Sequence, residues 1–406
     1  MVALNDQQEE ARKNAVAWYH AFQNKMSARA WYEISGPAGS GKTTLVKYII
    51  ETLGLRPEEV VFVAFTGKAA LALRLSGVPG KTIHSLCYRQ KIINARDENG
   101  DIIYGIRGDP KIKRVLEKVD HIDPRIKLIV GDESGMIEYG MGCDLLSFGV
   151  PMIALGDLHQ LPPVFGNGIF LRNPDSILTK VMRQVEGSPI IQLSQHAIYR
   201  MPIAYGDYGE AKVIRKEEFL NNHEVAMRWL SWSDMTICET NQMRDLLNRY
   251  VRERIQGIHG NQVQVGDRLI CRQNNWNVLL DKPYEDIALV NGLVGTCTNV
   301  YKNAKHRNAY AAIDFKPEFT NGQQFNKISI NHPYLFAPYR ERKEMNVLDK
   351  NLVPFEFGNA ITCHLAQGSQ AKRVLLFVEN WTNSDFFWRW LYTGITRASE
   401  ELVIVM

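Results

Sequence analysis

Long hydrophobic runs are missing from this chain: across its 406 residues no apolar stretch approaches the ~20 needed to cross a bilayer. The first residues, MVALNDQQEEARKN, have no apolar core of the kind a signal peptide carries, so the expectation is a protein that stays in the compartment where it is made. Cysteine is scarce and scattered. Cys87, Cys143, Cys238, Cys271, Cys297 and Cys363 form no C-x-x-C pair and have no histidine at finger-like spacing, which argues against a disulfide framework or structural zinc and for reduced thiols in a cytosolic setting. Low-complexity tracts and internal repeats are absent too. With 30 Gly and 16 Pro in ordinary proportion, collagen-like and largely disordered chains are excluded. Charge of one sign is also lacking: 48 Lys and Arg stand against 44 Asp and Glu, a net +4 that permits a polyanionic partner without demanding one.

What is present is a globular composition, 45% hydrophobic and 23% charged, in a length that suits two or three folded units. Short apolar runs at Trp31 to Ser35, Val60 to Phe65, Ile126 to Val130 and Met152 to Leu155 precede glycine or acidic turns. Helical patterns at Thr43 to Leu53 and Lys68 to Leu75 lie between them. The front half therefore reads as an α/β unit around a parallel sheet. A second such unit begins near Met235 to Cys238, continues through the amphipathic run Asn241 to Ile255, and resumes at Val374 to Glu379 and Leu402 to Val405. Two stretches break the rhythm. Within Tyr88 to Arg107, RQKIINA and DIIYGIR flank Asn99-Gly100, a pattern for a hairpin with a tight turn. From about Val263 to Pro354, short β-type segments (RLICR, LVGTCTNV, YAAIDF, KISI) suggest a small β-barrel-like insertion.

The strongest chemical signal is Gly36-Pro37-Ala38-Gly39-Ser40-Gly41-Lys42-Thr43, a G-x-x-x-x-G-K-T sequence after an apolar strand and before a helix. Glycines let the backbone curl so that its N–H groups point at a triphosphate beside the positive end of the helix. Lys42 then neutralises β- and γ-phosphate oxygens, and Thr43 offers a hydroxyl to Mg²⁺. A carboxylate pair, Asp132-Glu133, ends another buried run. Asp132 is the metal-side group and Glu133 the base that orients and deprotonates water. Adjacent acids at a strand end are commonly just solvated; the phosphate loop upstream tips the reading to catalysis. Farther on, Gly156-Asp157-Leu158-His159-Gln160-Leu161-Pro162-Pro163-Val164 follows a third apolar run, where the Gln160 amide is placed to sense a γ-phosphate. A polar turn stiffened by two prolines is the plain alternative.

Together these segments resemble the superfamily 1 helicases, in their RecD-like and Dda-like branch. Leu4 to Ala11 resembles the adenine-reading glutamine motif, with Gln8 in the family position. Gly36 to Thr44 corresponds to motif I, Ala64 to Ala70 to motif Ia, and Thr82 to Leu86 to the TIHSL element. Asp132 to Met136 corresponds to motif II, Gly156 to Val164 to motif III, Leu178 to Gln184 to an arginine motif, Ile361 to Ser369 to motif V and Leu391 to Ala398 to motif VI. The resemblance implies two RecA-like domains, 1–87 with 119–185 and 186–262 with 355–406. It implies a strand-separating pin within 88–118 and an SH3-like insertion at 263–354. ATP and Mg²⁺ are implied as cofactors, with Gly368 and Thr44 joining the nucleotide set. Arg183 and Arg397 are implied as the cations that stabilise the transferring phosphoryl group, although a plain surface arginine remains an alternative for Arg397. Two motifs depart from the family pattern: Ser134-Gly135 stands where motif II usually has Ala or Val followed by Ser, and Leu365 replaces a lysine after the motif V histidine.

For the strand path, the resemblance singles out Phe65, Thr66, Thr82, His84, Pro162, Pro163, Thr362 and His364. His84 taken alone also suits a structural role. The run Phe386-Phe387-Trp388-Arg389-Trp390 reads as helical core rather than a base platform, and Lys111, Lys113, Arg114 and Lys118 as a solvated helical face rather than a phosphate track. The acidic tip Asp97-Glu98-Asn99-Gly100 suits a wedge better than a clamp.

The expected activity is an ATP-dependent DNA helicase that moves 5′ to 3′ on single-stranded DNA and opens duplex or forked DNA, with replication, repair or recombination as its setting. That polarity comes from the resemblance alone. A strand-stimulated ATPase without unwinding, an RNA motor, and a binding module that uses ATP as a switch stay open. No membrane partner, a monomeric state and a cytoplasmic location in a bacterial or phage-infected cell complete the expectation.

Overall fold

A computed structural model describes residues 3–75, 77–94, 100–102, 112–163, 166–180, 187–281, 287–302, 311–318, 320, 322–345 and 352–406. They fall into two compact units, one within Met1–Phe65, Ala72–Leu158 and Pro162–Lys180, the other within Thr66–Leu71, His159–Leu161 and Val181–Met406.

The first unit opens with helix Asp6–Gln23, capped by Asn5. The Asn5 side chain accepts from the Gln8 N–H while the Gln8 side chain accepts from the Asn5 N–H, which satisfies two backbone donors that a helix start leaves unpaired. Six strands then build a wholly parallel sheet in the order Gly80–Thr82, Val60–Ala64, Leu128–Asp132, Met152–Gly156, Trp31–Ser35, Ser176–Ile177. The central strands are near-continuous apolar runs and almost fully buried, as strands covered on both faces must be. Parallel pairing aligns their ends: Ser35 lies beside Gly156, and Ala64 beside Asp132. The chain segments that leave these strands therefore emerge along one edge, where open α/β sheets bind their ligands.

The hairpin differs from the sequence expectation. Strand Tyr88–Asn94 pairs antiparallel with Ile112–Lys118, while residues 103–107 of the expected return strand lie outside the described residues. The returning strand, not a helix, carries Lys113, Arg114 and Lys118. Residues 97–99 of the expected tip, and Lys111, lie outside the described residues. At the hairpin root the Tyr88 hydroxyl donates to Asp144 Oδ2 at 2.6 Å, the Lys118 ammonium is 3.7 Å from the same carboxylate, and it also lies 5.5 Å from the centre of the Phe148 ring.

The second unit holds a six-stranded sheet in the order Ala360–Thr362, Met235–Cys238, Ala371–Phe377, Ala398–Val405, Ala211–Ile214, Gly206–Asp207. It is parallel except for the short last strand. Between Arg268 and Phe357 strands predominate, beside the short helices His332–Phe336 and Tyr339–Glu344. Strands Phe325–Ser329, Ala311–Pro317, Val294–Lys302, Arg268–Cys271 and Phe355–Phe357 form an antiparallel sheet in that order. Its two edges meet at a parallel bridge between Ile330 and Val353, and Phe315, Phe325 and Phe355 fill its interior. The β-rich segment thus runs three residues beyond the expected limit at Pro354.

Helix Asp385–Ile395 packs Phe387, Trp388, Trp390, Leu391 and Tyr392 into the second core. Phe386 is the exception to the expected core run, with 49% of its surface exposed.

Candidate functional site

The loop after strand Trp31–Ser35 passes through left-handed backbone at Gly39 (φ 82°) and Gly41 (φ 80°), a conformation that glycine adopts without penalty. Helix Lys42–Thr52 follows at once, so the loop N–H groups and the helix's positive end share one place. Room is as restricted as conformation. A Cβ on Gly36 would stand 2.7 Å from Ser40 Oγ and 2.9 Å from the Leu178 carbonyl oxygen, and one on Gly41 2.5 Å from Gln8 Nε2. The Lys42 ammonium folds over the loop, donating to the carbonyls of Gly36 at 2.6 Å and Pro37 at 3.0 Å. Ser40 Oγ is buried with no hydrogen-bond partner among the described residues. Thr43 is half-buried and Thr44 exposed. Gln8 is buried against this loop: its Nε2 donates to the Ser40 carbonyl at 3.0 Å, while its Oε1 serves the helix cap.

Asp132 ends its strand with a desolvated carboxyl. Burial pushes its pKa above the ordinary value, and the Lys42 charge pulls it partly back. Glu133 takes φ 49° and ψ 41°, a left-handed conformation that costs a side-chain-bearing residue roughly 1–3 kcal/mol and is found most often where function demands it. Ser134 is fully buried and its hydroxyl donates to the Gly131 carbonyl at 2.9 Å. The glycine that departs from the family pattern is not enforced by packing, since a Cβ on Gly135 would stand 3.4 Å from Leu171 Cδ1; the crowding lies at Gly156, at the end of the neighbouring strand, where a Cβ would collide with Leu171 Cδ1. The phosphate loop and the strand before it are tied to that strand's end as well. The Gly36 N–H donates to the Gly156 carbonyl at 3.0 Å, and the Leu158 N–H to Ser35 Oγ at 3.1 Å.

In the second unit, residues His159–Leu161 are held on several sides. The Leu161 N–H donates to Thr393 Oγ1 at 3.0 Å, Gln367 Nε2 to the Leu161 carbonyl at 3.2 Å, and Arg389 Nη1 to the Gln160 carbonyl at 3.2 Å. The His159 ring meets Tyr392 edge-on at 5.8 Å. Gln160 is buried, and its Oε1 has no partner among the described residues. Arg397, 2% exposed, donates to the carbonyls of Thr393 and Ser369 and to Thr396 Oγ1. Gly368 takes φ 71°, and a Cβ there would stand 3.6 Å from that of Ala69. Arg183 lies outside the described residues.

The strand-path candidates are distributed over both units. In the first, Phe65 follows Ala64, whose strand partner is Thr82. Thr82 caps helix Ile83–Cys87, and His84 lies 5.8 Å from the Tyr88 ring with its pKa lowered by burial. Pro162 is exposed and Pro163 half-buried. In the second, Thr66 Oγ1 accepts from the Ala69 N–H, Thr362 is buried beside Cys238, and His364 lies almost parallel to Phe386. Sequence reasoning missed Arg389, Thr393 and Gln367 as holders of the Gln160 segment. Their spacing in chain and helix is the one signal that existed.

Two family models match. One, described as an AAA domain, covers residues 3–214, more than half of the chain. The chain belongs to this AAA-domain family. The other, a UvrD-like helicase C-terminal domain, covers residues 357–405, and an AAA domain followed by a helicase C-terminal domain is the order that the resemblance to superfamily 1 helicases implies. An uncharacterized protein of Methanocaldococcus jannaschii is 23% identical over 92% of this chain and 36% of its own length. The ATP-dependent RecD2 DNA helicase of Deinococcus radiodurans is 28% identical over 49% of this chain and 26% of its own. The chain thus spans about a third and a quarter of these curated relatives. Among solved structures, Pif1 helicase from Bacteroides in complex with ADP-AlF3 and single-stranded DNA aligns over 100% of this chain and 92% of that one, with 16% identity and a TM-score of 0.52. That similarity gives the AAA-domain chain its RecA-like fold. Among the described residues no helix is long and apolar enough to cross a membrane.

Proposed function

We propose that this protein is an ATP-driven DNA helicase that translocates 5′ to 3′ on single-stranded DNA and opens duplex or forked DNA. The observation that carries the reading is the arrangement at one edge of the first sheet. There the phosphate loop leaves strand Trp31–Ser35, Asp132 and Glu133 leave Leu128–Asp132, and strand Met152–Gly156 lies between the two, with Lys42 close enough to act on the Asp132 charge. The fold it shares with a Pif1 solved with a nucleotide and single-stranded DNA, and the RecD2 helicase relative, support the substrate classes.

In this reading the loop amides of Gly36, Pro37, Ala38, Gly39, Ser40 and Gly41 and the Lys42 ammonium bind the phosphates. Gln8 borders the base end. The oxygen chemistry of Thr43 and Asp132 fits Mg²⁺, a hard cation that keeps most of its waters and needs few protein ligands. The burial that destabilises a lone Asp132 carboxylate is relieved by such a charge. When bound, the ion neutralises phosphate oxygens as charge shifts during transfer. Glu133, held by its left-handed backbone, orients water for attack on the γ-phosphorus and takes its proton, with ADP leaving. Gln160 senses the γ-phosphate, and Arg397 with Arg183 stabilises the transferring group. The hairpin rooted at Asp144 is the wedge, and the antiparallel sheet within 263–357 is the SH3-like insertion.

The test compares unwinding of duplexes with a 5′ tail, a 3′ tail or none, on DNA and RNA loading strands, beside ATP turnover with each strand. Opening of 5′-tailed DNA supports the reading. RNA-only opening would replace DNA by RNA, turnover without opening would leave a translocase, and no turnover with any strand would end the reading.

A further inference from the structure

Helix Asp385–Ile395 turns most of its aromatic rings inward, with Phe387, Trp388, Trp390 and Tyr392 all at most 5% exposed, yet Phe386 stands 49% exposed at its first turn. A phenyl ring left in water forgoes burial that its neighbours obtain. It is nevertheless ordered by a partner: the His364 imidazole lies 6.1 Å away, centre to centre, with the ring planes at 29°. That distance is inside the range of stacked pairs. The short helix Cys363–Ala366 that carries His364 is fixed to the long one, for Cys363 is fully buried and its thiol donates to the Trp390 carbonyl at 3.5 Å. Burial lowers the His364 pKa, so near neutral pH its ring offers a π face instead of a charge. The carboxylate next door, Asp385, is neutralised by Arg200 at 2.5 Å and Arg389 at 3.0 Å, which removes a charge that would repel a polyanion from this rim.

We propose that Phe386, backed by His364, is a stacking platform for one nucleobase of the bound single strand. This rests on the proposed function. The two rings present no free cation for a phosphate and no directed donor set for a base edge, so what they recognise is a flat π surface of any sequence. The platform sits at the first turn of the helix whose next turns hold the Gln160 segment, through Arg389 to the Gln160 carbonyl and Thr393 to the Leu161 N–H.

The experiment measures binding of a thymidine oligomer and of an abasic oligomer of equal length to the full chain by fluorescence anisotropy, for wild type, Phe386→Ala, Phe386→Trp and Phe386→Leu. Removal of a stacking ring is expected to weaken thymidine-oligomer binding about tenfold. The preference for thymidine over abasic oligomer should fall with it, be restored by tryptophan and not by leucine. Phe386→Ala binding the thymidine oligomer like wild type, equal losses on the two oligomers, or recovery with leucine would overturn the platform while leaving the helicase reading in place. A wild-type chain that binds neither oligomer would remove both.

Discussion

The phosphate loop and helix Asp385–Ile395 are built on opposite plans. Eight consecutive residues make the loop, and what they contribute is largely backbone: Gly39 and Gly41 for left-handed turns, Gly36 and Gly41 for approaches of 2.5–2.9 Å that no side chain allows. The helix contributes side chains set one turn apart. Phe386, Arg389 and Thr393 share a face; Phe386 meets His364, while Arg389 and Thr393 hold the carbonyl and the N–H of the peptide that joins Gln160 to Leu161. A site made by the backbone must be contiguous, because curvature is a property of neighbours in the chain. A site made by side chains is dispersed, and the hydrophobic pattern of the same helix masks it.

The comparison breaks most sharply on the loop side. Lys42→Ala should reduce ATP turnover by about 10³-fold or more and weaken ATP binding at least about tenfold, since a phosphate-binding cation acts on ground state and transition state alike. Glu133→Gln should lose about 10²–10⁴ in turnover, the usual share of a general base, with ATP affinity kept within a few-fold. Phosphate release and a nucleotide-binding titration separate the two. A Lys42→Ala chain with unaltered ATP affinity would mean that the glycine loop is not the phosphate site.

Much of the fold was legible because its strands are short apolar runs ending in glycine or acid. Trp31–Ser35 and Met152–Gly156 were found to within a residue, as was helix Lys42–Thr52. The hairpin's return strand was not. DIIYGIR and IKRVLEK both alternate, and pairing selects between them by partners that a linear pattern does not contain. Phe386 was hidden for a related reason: five aromatic or basic residues in a row look like core, and only the helix's rotation decides which ring faces out. Gly135 was visible as a departure, and nothing in the structure explains it, for a Cβ there would make only an ordinary contact with Leu171.

On the helix side the effects are smaller and concern coupling. Arg397→Lys keeps the charge but loses the planar fork that joins the Thr393 and Ser369 carbonyls to Thr396 Oγ1. Turnover should fall about 10²-fold while ATP still binds. Unchanged turnover would show that a point charge suffices there. Arg389→Ala removes the hydrogen bond to the Gln160 carbonyl, worth about 1 kcal/mol, and the exposed pair with Asp385, of which Arg200 keeps its share. The ratio of strand-stimulated to unstimulated turnover should then drop about fivefold. If that ratio holds while strand affinity is also unchanged, the helix does not carry the signal to Gln160.

The smallest effect returns to the loop and reads its electrostatics through stability. In the folded chain burial raises the Asp132 pKa above its ordinary 3.8 despite the pull of Lys42. A carboxyl that holds its proton more tightly folded than unfolded favours folding at low pH, and stability is lost as pH climbs from 3.8 to the raised value. Asp132→Asn removes the titration, so the variant and wild type should melt alike at the acid end. Above pH 3.8 the variant should gain, reaching a higher Tm than wild type near neutrality. Added Mg²⁺ with nucleotide should narrow that gap by restoring charge balance in wild type alone. A pH-independent gap, or a variant less stable than wild type at neutral pH, would show that the carboxylate is compensated within the chain and that the first sheet's edge is not poised for a cation.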